Sequence, residues 1–217
     1  MNKLDKILLS VEKPARYIGG EYNAPKADWK KLNYCICFPD VYEVGMSNLG
    51  IRIVAESLRT VDGVYVDRCF APWRDYGEQL KENDIPLYAL STKRPLKDFD
   101  MIGFSLGFEM CYTTVLYMLD LAQIPLRSAD RGEEYPIIQA GGPCAVNPEP
   151  MAPFFDLFVV GDGEEIMAEL AKLKLATKTK KEFLKKASEL DGVYVPSLLG
   201  VKYGDNGLIE GFSGKTK

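Results

Sequence analysis

Two glycine-rich turns follow apolar segments in the second half of the chain. Gly141 and Gly142 end an apolar run that begins at Ile137, and Gly161-Asp162-Gly163 ends a second run that begins at Leu157. In a parallel α/β sheet such glycines lie at the carboxyl ends of strands, where ligands bind. Glycine has no Cβ, so the backbone there can approach a flat or phosphate-bearing ligand closely. The pattern predicts a ligand site at this edge, although two ordinary tight turns would give the same pattern.

The ionisable residues limit what such a site could do. The chain has no histidine, which removes the commonest metal ligand and the usual general base at neutral pH. It has five cysteines and no Cys-x-x-Cys pair. Cys35 and Cys37 lie two residues apart in a predicted strand, so both should point to one face. The odd number favours reduced thiols. We therefore predict no metal site and no catalytic residue in this chain.

Composition is that of an ordinary globular protein. The 217 residues are 47% hydrophobic and 27% charged, and the net charge is −4. This charge argues against a dominant nucleic-acid surface. No apolar stretch reaches the length of a membrane span, and the first residues do not resemble a signal peptide. We expect a cytoplasmic protein with no membrane partner.

Apolar runs alternate with helical patterns along most of the chain. Such alternation predicts βαβ units, right-handed crossovers and a parallel sheet flanked by helices. The expected fold is α/β and Rossmann-like, a doubly wound sheet with five parallel strands in the order 2-1-3-4-5. The predicted strands are 34–38, 64–70, 99–105, 136–140 and 157–160, and 87–90 is a possible short extra strand.

The two ends of the chain differ from this pattern. Residues 1–33 are predicted to form an amino-terminal arm, and residues 34–190 the Rossmann-like domain. Asn206-Gly207 lies between short apolar runs, which is a strong signal for a β-hairpin. We therefore predict an antiparallel hairpin over 193–212, outside the core, within a carboxyl-terminal segment of 191–217.

Three short motifs follow the first, third and fourth predicted strands. Asp40-Val41-Tyr42-Glu43-Val44-Gly45 follows the first, Ser105-Leu106-Gly107 the third, and Gly141-Gly142 the fourth. The set resembles that of cobalamin-binding Rossmann-like domains, which carry Asp-x-His-x-x-Gly, Ser-x-Leu and Gly-Gly in these places. Two departures are clear: Tyr42 stands where that family has histidine, and Leu106 comes one place early.

The replacement of the histidine affects what the resemblance implies. In that family the histidine is the lower axial ligand of cobalt. A tyrosine is a poor cobalt ligand unless ionised, and its reference pKa is about 10. The resemblance therefore implies a corrinoid held base-off and without histidine ligation.

A longer match involves the glycine-rich turns themselves. The segments 141–150 and 156–165, together with 13–21 and 38–47, are similar to amino-terminal domains of cobalamin-type radical SAM proteins. The resemblance implies that a radical SAM barrel follows, with a 4Fe-4S cluster and S-adenosylmethionine. The Cys-x-x-x-Cys-x-x-Cys motif of that barrel is absent here. We expect this fragment to catalyse nothing alone, the full-length protein to be a radical SAM iron–sulfur enzyme, and the chain to stop in a linker before the barrel.

Three hypotheses remain open. The first is a cofactor-binding module whose corrinoid faces the barrel. The second is a degenerate domain that has lost corrinoid binding and receives a protein or RNA substrate, or another partner, for the barrel. The third is an independent flavodoxin-like enzyme that binds a nucleotide or flavin, although no phosphate-binding loop supports it.

Cys144 is either a reactive thiol or a small residue that fills its loop. For the first hypothesis the predicted cofactor-binding residues are Asp40, Tyr42, Gly45, Ser105, Leu106, Gly141, Gly142, Pro143 and Cys144.

Overall fold

The computed structural model describes residues 3–22, 24, 26 and 28–214. The helices are α1 (Lys3–Leu8), α2 (Ala15–Ile18), α3 (Tyr42–Ser47), α4 (Leu49–Arg59), α5 (Arg74–Glu82), α6 (Tyr112–Leu121), α7 (Gly163–Ala176) and α8 (Lys180–Ala187). The strands are β1 (Leu32–Phe38), β2 (Val64–Phe70), β3 (Met101–Ser105), β4 (Ile137–Gly141), β5 (Leu157–Val159), β6 (Val193–Tyr194), β7 (Gly200–Tyr203) and β8 (Ile209–Ser213). Within the described ranges, no helix has both the length and the apolar character that a membrane span requires.

The first six strands form one sheet in the order β2-β1-β3-β4-β5-β6. Strands β1 to β5 are parallel. All seven residues of β1 are buried, as expected for a parallel strand that is covered on both faces. The structure confirms the predicted Rossmann-like α/β fold and the order 2-1-3-4-5 of its parallel strands.

Successive side chains of each strand point to opposite faces of the sheet. One face, which carries Tyr34 and Ile36, packs against α4, α7 and α8. The other face, which carries Cys35 and Cys37 as predicted, packs against α1, α5 and α6. The helix after β1 and the helix after β3 therefore lie on opposite faces, so the chain changes direction between these neighbouring strands. This is the topological switch point at which α/β proteins bind ligands.

The sheet has one strand more than the sequence predicted. Val193 and Tyr194 were expected to begin the hairpin, but they form β6, which pairs antiparallel with β5. Val193 is buried and the Tyr194 ring stacks on Phe158 at 6.1 Å, so packing against β5 decides this pairing. The hairpin is β7-β8, with Gly207 at φ 76° in its turn. The division of the chain at residues 33 and 190 stays a prediction.

The segment after α5 covers the outer edge of β2. The predicted strand over 87–90 forms only an isolated bridge, but the Leu90 amide donates a hydrogen bond of 2.7 Å to the Arg68 carbonyl of β2. The Lys93 ammonium group donates to the carbonyl oxygens of Tyr17, Ile18 and Leu90. One lysine thus ties the amino-terminal segment to the same edge of the sheet.

Candidate functional site

A cavity of about 740 Å³ lies at the carboxyl ends of β1, β3, β4 and β5. It is bounded by the sheet face that carries Tyr34 and by the amino-terminal ends of α4 and α7. Pockets of 300–1,000 Å³ that are mainly apolar, with a few polar groups, are typical small-molecule sites. The residues that line the cavity are Tyr34, Ile36, Phe38, Asn48, Gly50, Ile51, Val54, Gly103, Phe104, Ser105, Gly107, Gln139, Gly141, Gly142, Pro143, Val146, Val159, Gly161, Asp162, Gly163, Glu164 and Met167.

Glycines create much of this space. Gly141 is paired in register with Ser105, and a Cβ placed on Gly141 would meet nothing nearer than the Val159 carbonyl oxygen at 3.8 Å. Gly103 lies under the Tyr34 ring, and a Cβ there would overlap the Tyr34 hydroxyl. Gly141 therefore leaves open space at the end of β4, whereas Tyr34 fills the space above Gly103.

Gly142 has a different role from its neighbour. Its φ is 96°, and a Cβ there would lie 2.9 Å from the Leu106 carbonyl oxygen. Glycine is thus required by the turn, because L-residues rarely adopt this conformation. A side chain at Gly142 would collide with the backbone of the neighbouring loop.

Two buried polar groups of the cavity lining have no hydrogen-bond partner among the described residues. They are the Tyr34 hydroxyl and the Gln139 Oε1. Tyr34 is 1% exposed and Gln139 is 2% exposed. Burial raises the pKa of Tyr34 well above its ordinary value, so this hydroxyl stays protonated and can donate. Buried polar atoms are nearly always paired in native proteins, so these two indicate a site for polar atoms of a ligand.

Two helices begin at the mouth of the cavity. Asn48 caps α4, and its Oδ1 accepts a hydrogen bond of 3.1 Å from the Ile51 amide. Asp162 precedes α7 without a side-chain cap, and Glu164 and Glu165 lie in the first turn. These carboxylates offset the partial positive charge of the helix start. The start of α7 is therefore poorly suited to bind a polyphosphate, whereas the first turn of α4 carries no acidic residue.

Four of the predicted cofactor-binding residues line the cavity: Ser105, Gly141, Gly142 and Pro143. Leu106 is buried beside it and positions the glycine turn through its backbone. The Leu106 amide donates to the Gly141 carbonyl at 2.7 Å, and the Leu106 carbonyl accepts from the Cys144 amide at 3.1 Å. The Cys144 side chain is half-buried against the core on the opposite face, so it does not line the cavity.

The motif after β1 lies at the same edge of the sheet but outside the cavity. The Asp40 carboxylate accepts a hydrogen bond from the Val41 amide. Tyr42 begins α3, and its hydroxyl donates to Glu21 at 3.1 Å. A Cβ on Gly45 would overlap the Phe70 ring. These three residues therefore make local hydrogen bonds and packing contacts in this structure, and their cofactor-binding role stays a prediction.

The surroundings of Tyr42 also bear on its chemistry. Burial, together with the charge of Glu21, raises the pKa of Tyr42. Its ring packs edge-on against Phe70 at 5.4 Å. A protonated hydroxyl that is already hydrogen-bonded is poorly suited to coordinate a metal.

The sequence interpretation singled out the turn Gly161-Asp162-Gly163 at the start of α7, but it missed Tyr34, Gln139 and the start of α4 as parts of the cavity. One signal was available: Gln139 interrupts the apolar run Ile137-Ile138-Gln139-Ala140 of a strand that is covered on both faces. A glutamine in such a position needs a partner.

The thiols do not form a metal site. All five cysteines are free, and all except Cys144 are buried. Burial raises the pKa of Cys35 to about 12. No group of three or more cysteine, aspartate or glutamate side chains in the described parts of the chain is arranged to hold a metal ion.

Comparisons with known proteins found similar sequences. A family model described as radical SAM proteins, N-terminal, matches residues 50–196. The chain is 25% identical over 141 residues to the uncharacterized protein MJ0966 of Methanocaldococcus jannaschii, a match that covers 64% of this chain and 26% of that relative. The chain thus spans about a quarter of that relative's length. No solved structure matches the chain significantly.

Proposed function

The chain belongs to the family of N-terminal domains of radical SAM proteins, and from this premise we propose that it is a corrinoid-binding module of a radical SAM enzyme. The observation that carries the proposal is the glycine-walled cavity at the switch point of the sheet. In the proposal this cavity takes the base at the end of the corrinoid's nucleotide tail, and the ring lies at the carboxyl edge of the sheet.

The residues present fit such a group. A flat base needs a narrow space between apolar walls, and Ile36, Val54 and Val159 provide apolar side chains in the lining. Gly141 leaves open space where another residue would have a side chain. The unpaired hydroxyl of Tyr34 and Oε1 of Gln139 offer hydrogen bonds to polar atoms of the base. A bound corrinoid would supply organometallic chemistry at cobalt, which no side chain provides.

We propose that this chain contributes no axial ligand to the cobalt. It has no histidine, and the Tyr42 hydroxyl at the corresponding position is protonated and engaged by Glu21. A corrinoid whose base occupied the cavity would therefore be held base-off and without histidine ligation. In this proposal the 4Fe-4S cluster and S-adenosylmethionine bind in a separate catalytic domain, the radical SAM barrel, and this module alone has no activity.

The test is retention of a coloured ligand. The purified protein is incubated with hydroxocobalamin, desalted and examined by visible spectroscopy, with circular dichroism as the control for folding. We expect one equivalent of corrinoid to remain, with the spectrum of a base-off form. If neither this folded domain nor the folded full-length protein retains a corrinoid, the proposal is wrong.

A second candidate function is recognition of a substrate or partner for the catalytic domain. Apolar side chains in the segments that follow β1, β3 and β4 are strongly exposed: Val44 by 45%, Phe108 by 48%, Met110 by 82% and Val146 by 73%. Contiguous exposed apolar side chains are typical of interaction sites. A photocrosslinking amino acid at position 110 of the full-length protein would test this function. Crosslinks to a protein or RNA substrate, without corrinoid retention, would favour it over the first.

A further inference from the structure

The two unpaired polar atoms in the cavity lining are costly unless a ligand pairs with them. Leaving a buried acceptor or donor without a partner costs about 1–3 kcal/mol. The Tyr34 hydroxyl and the Gln139 Oε1 are both in this condition, and both residues line the same cavity. This coincidence indicates that one ligand satisfies both atoms.

The sheet brings these two side chains together. Gly103 of β3 is paired in register with Ile36 of β1 on one side and with Gln139 of β4 on the other. The Tyr34 hydroxyl occupies the space that a side chain of Gly103 would need. The hydroxyl is thus carried over β3, toward the strand that holds Gln139.

A contact with methionine fixes the orientation of the Gln139 amide. Its Nε2 donates to the Met167 Sδ at 2.8 Å. A thioether sulfur accepts hydrogen bonds and cannot donate them, so the nitrogen faces Met167 and Oε1 is left as the free acceptor. The site therefore offers one acceptor, from Gln139, and one hydroxyl that can donate or accept, from Tyr34.

This pattern distinguishes between the bases that terminate corrinoid tails. Adenine carries an amino group that donates and ring nitrogens that accept. Dimethylbenzimidazole carries two methyl groups and no donor, so it would bury the Gln139 Oε1 unpaired. We infer that Tyr34 and Gln139 select a corrinoid with an adenine-type lower base over one with dimethylbenzimidazole. This inference rests on the proposed corrinoid-binding function.

The experiment compares three corrinoids by spectroscopic titration of the same protein. They are an adeninyl cobamide, cyanocobalamin with its dimethylbenzimidazole base, and cobinamide, which has no base. We expect the adeninyl form to bind at least about tenfold more tightly than cyanocobalamin, because only it pairs the buried acceptor. Cobinamide should bind weakest, because it leaves the cavity unfilled.

Two variants assign this preference to the two side chains. Gln139→Met removes the acceptor at similar size, and Tyr34→Phe removes only the hydroxyl. Each should bring the ratio of the two affinities toward one. Gln79→Met is the matched control, because Gln79 is partly exposed on α5, which packs on the other face of the sheet. Gln139→Met removes the unpaired buried Oε1 together with the hydrogen bond from Nε2 to Met167, so circular dichroism and a melting curve without ligand check that this variant is folded.

The possible results separate the inference from the proposed function. Equal binding of the adeninyl and dimethylbenzimidazolyl forms would overturn the base selection and leave corrinoid binding intact. A preference for adenine that persists in both variants would also overturn the assignment to Tyr34 and Gln139. Retention of none of the three corrinoids by folded protein would overturn both proposals.

Discussion

Gly141→Val is the sharpest test of whether the cavity holds the ligand. A Cβ on Gly141 meets no atom nearer than 3.8 Å, and its φ is not among the positive ones. A β-branched side chain is therefore compatible with the end of β4. The same side chain would lie in the space that the base is proposed to occupy.

The expected effects on binding and on stability have opposite signs. Extra carbon atoms in a well-packed space typically cost about 1–3 kcal/mol, which weakens binding by about 5- to 150-fold. Replacing a glycine where the backbone permits a side chain reduces the entropy of the unfolded chain and raises the free energy of unfolding by about 0.4–1 kcal/mol. The variant should therefore melt at the same or a higher temperature while its dissociation constant for the corrinoid rises.

Gly211→Val is the matched control for this prediction. Gly211 lies in β8 of the hairpin, and a Cβ there also meets nothing within 4 Å. Both variants are assayed by absorbance titration with hydroxocobalamin and by thermal melting. Unchanged affinity in folded Gly141→Val would refute the placement of the ligand in this cavity. A lower melting temperature would refute the argument that the position is open.

Three further predictions concern neighbouring features of the site. Gly142→Ala should lower the free energy of unfolding by about 1–3 kcal/mol in chemical denaturation, because the positive φ of Gly142 and the Leu106 carbonyl oppose a Cβ. A stability equal to that of the wild type would contradict this prediction. Tyr42→Phe should leave the spectrum of bound corrinoid unchanged, since the hydroxyl is engaged by Glu21, whereas a spectral shift would indicate ligation by the phenolate. A thiol reagent near neutral pH should label Cys144 in the native protein and the other four cysteines only after unfolding, because those four are buried; mass spectrometry of the labelled peptides would reveal any exception.

Local patterns were sufficient to predict the parallel core. Four of its five strands are short apolar runs that end at a polar or glycine turn, β2 being the exception, and the alternation with helices restricts the topology to few choices. The glycine turn after β4 could also be predicted from the sequence, because two adjacent glycines follow an apolar strand. These features are encoded within a few neighbouring residues.

The remaining features depend on contacts between distant segments. Strand β6 has only two residues and forms because Tyr194 packs on Phe158. The polar pair in the cavity requires Tyr34 to pass over a glycine in the neighbouring strand. Tyr42 turns from the cavity because Glu21, far along the chain, accepts its hydrogen bond. No local pattern contains these relationships.

The short antiparallel strand β6 also affects the solubility of the domain. An exposed sheet edge offers unpaired amide and carbonyl groups, to which another chain can add. Here one edge ends in a strand of two residues, and the other is covered by the segment that donates from Leu90 to Arg68. Neither edge offers a long template for intermolecular strand addition. The sheet is thereby protected against edge-to-edge aggregation, a property that favours study of this domain in isolation.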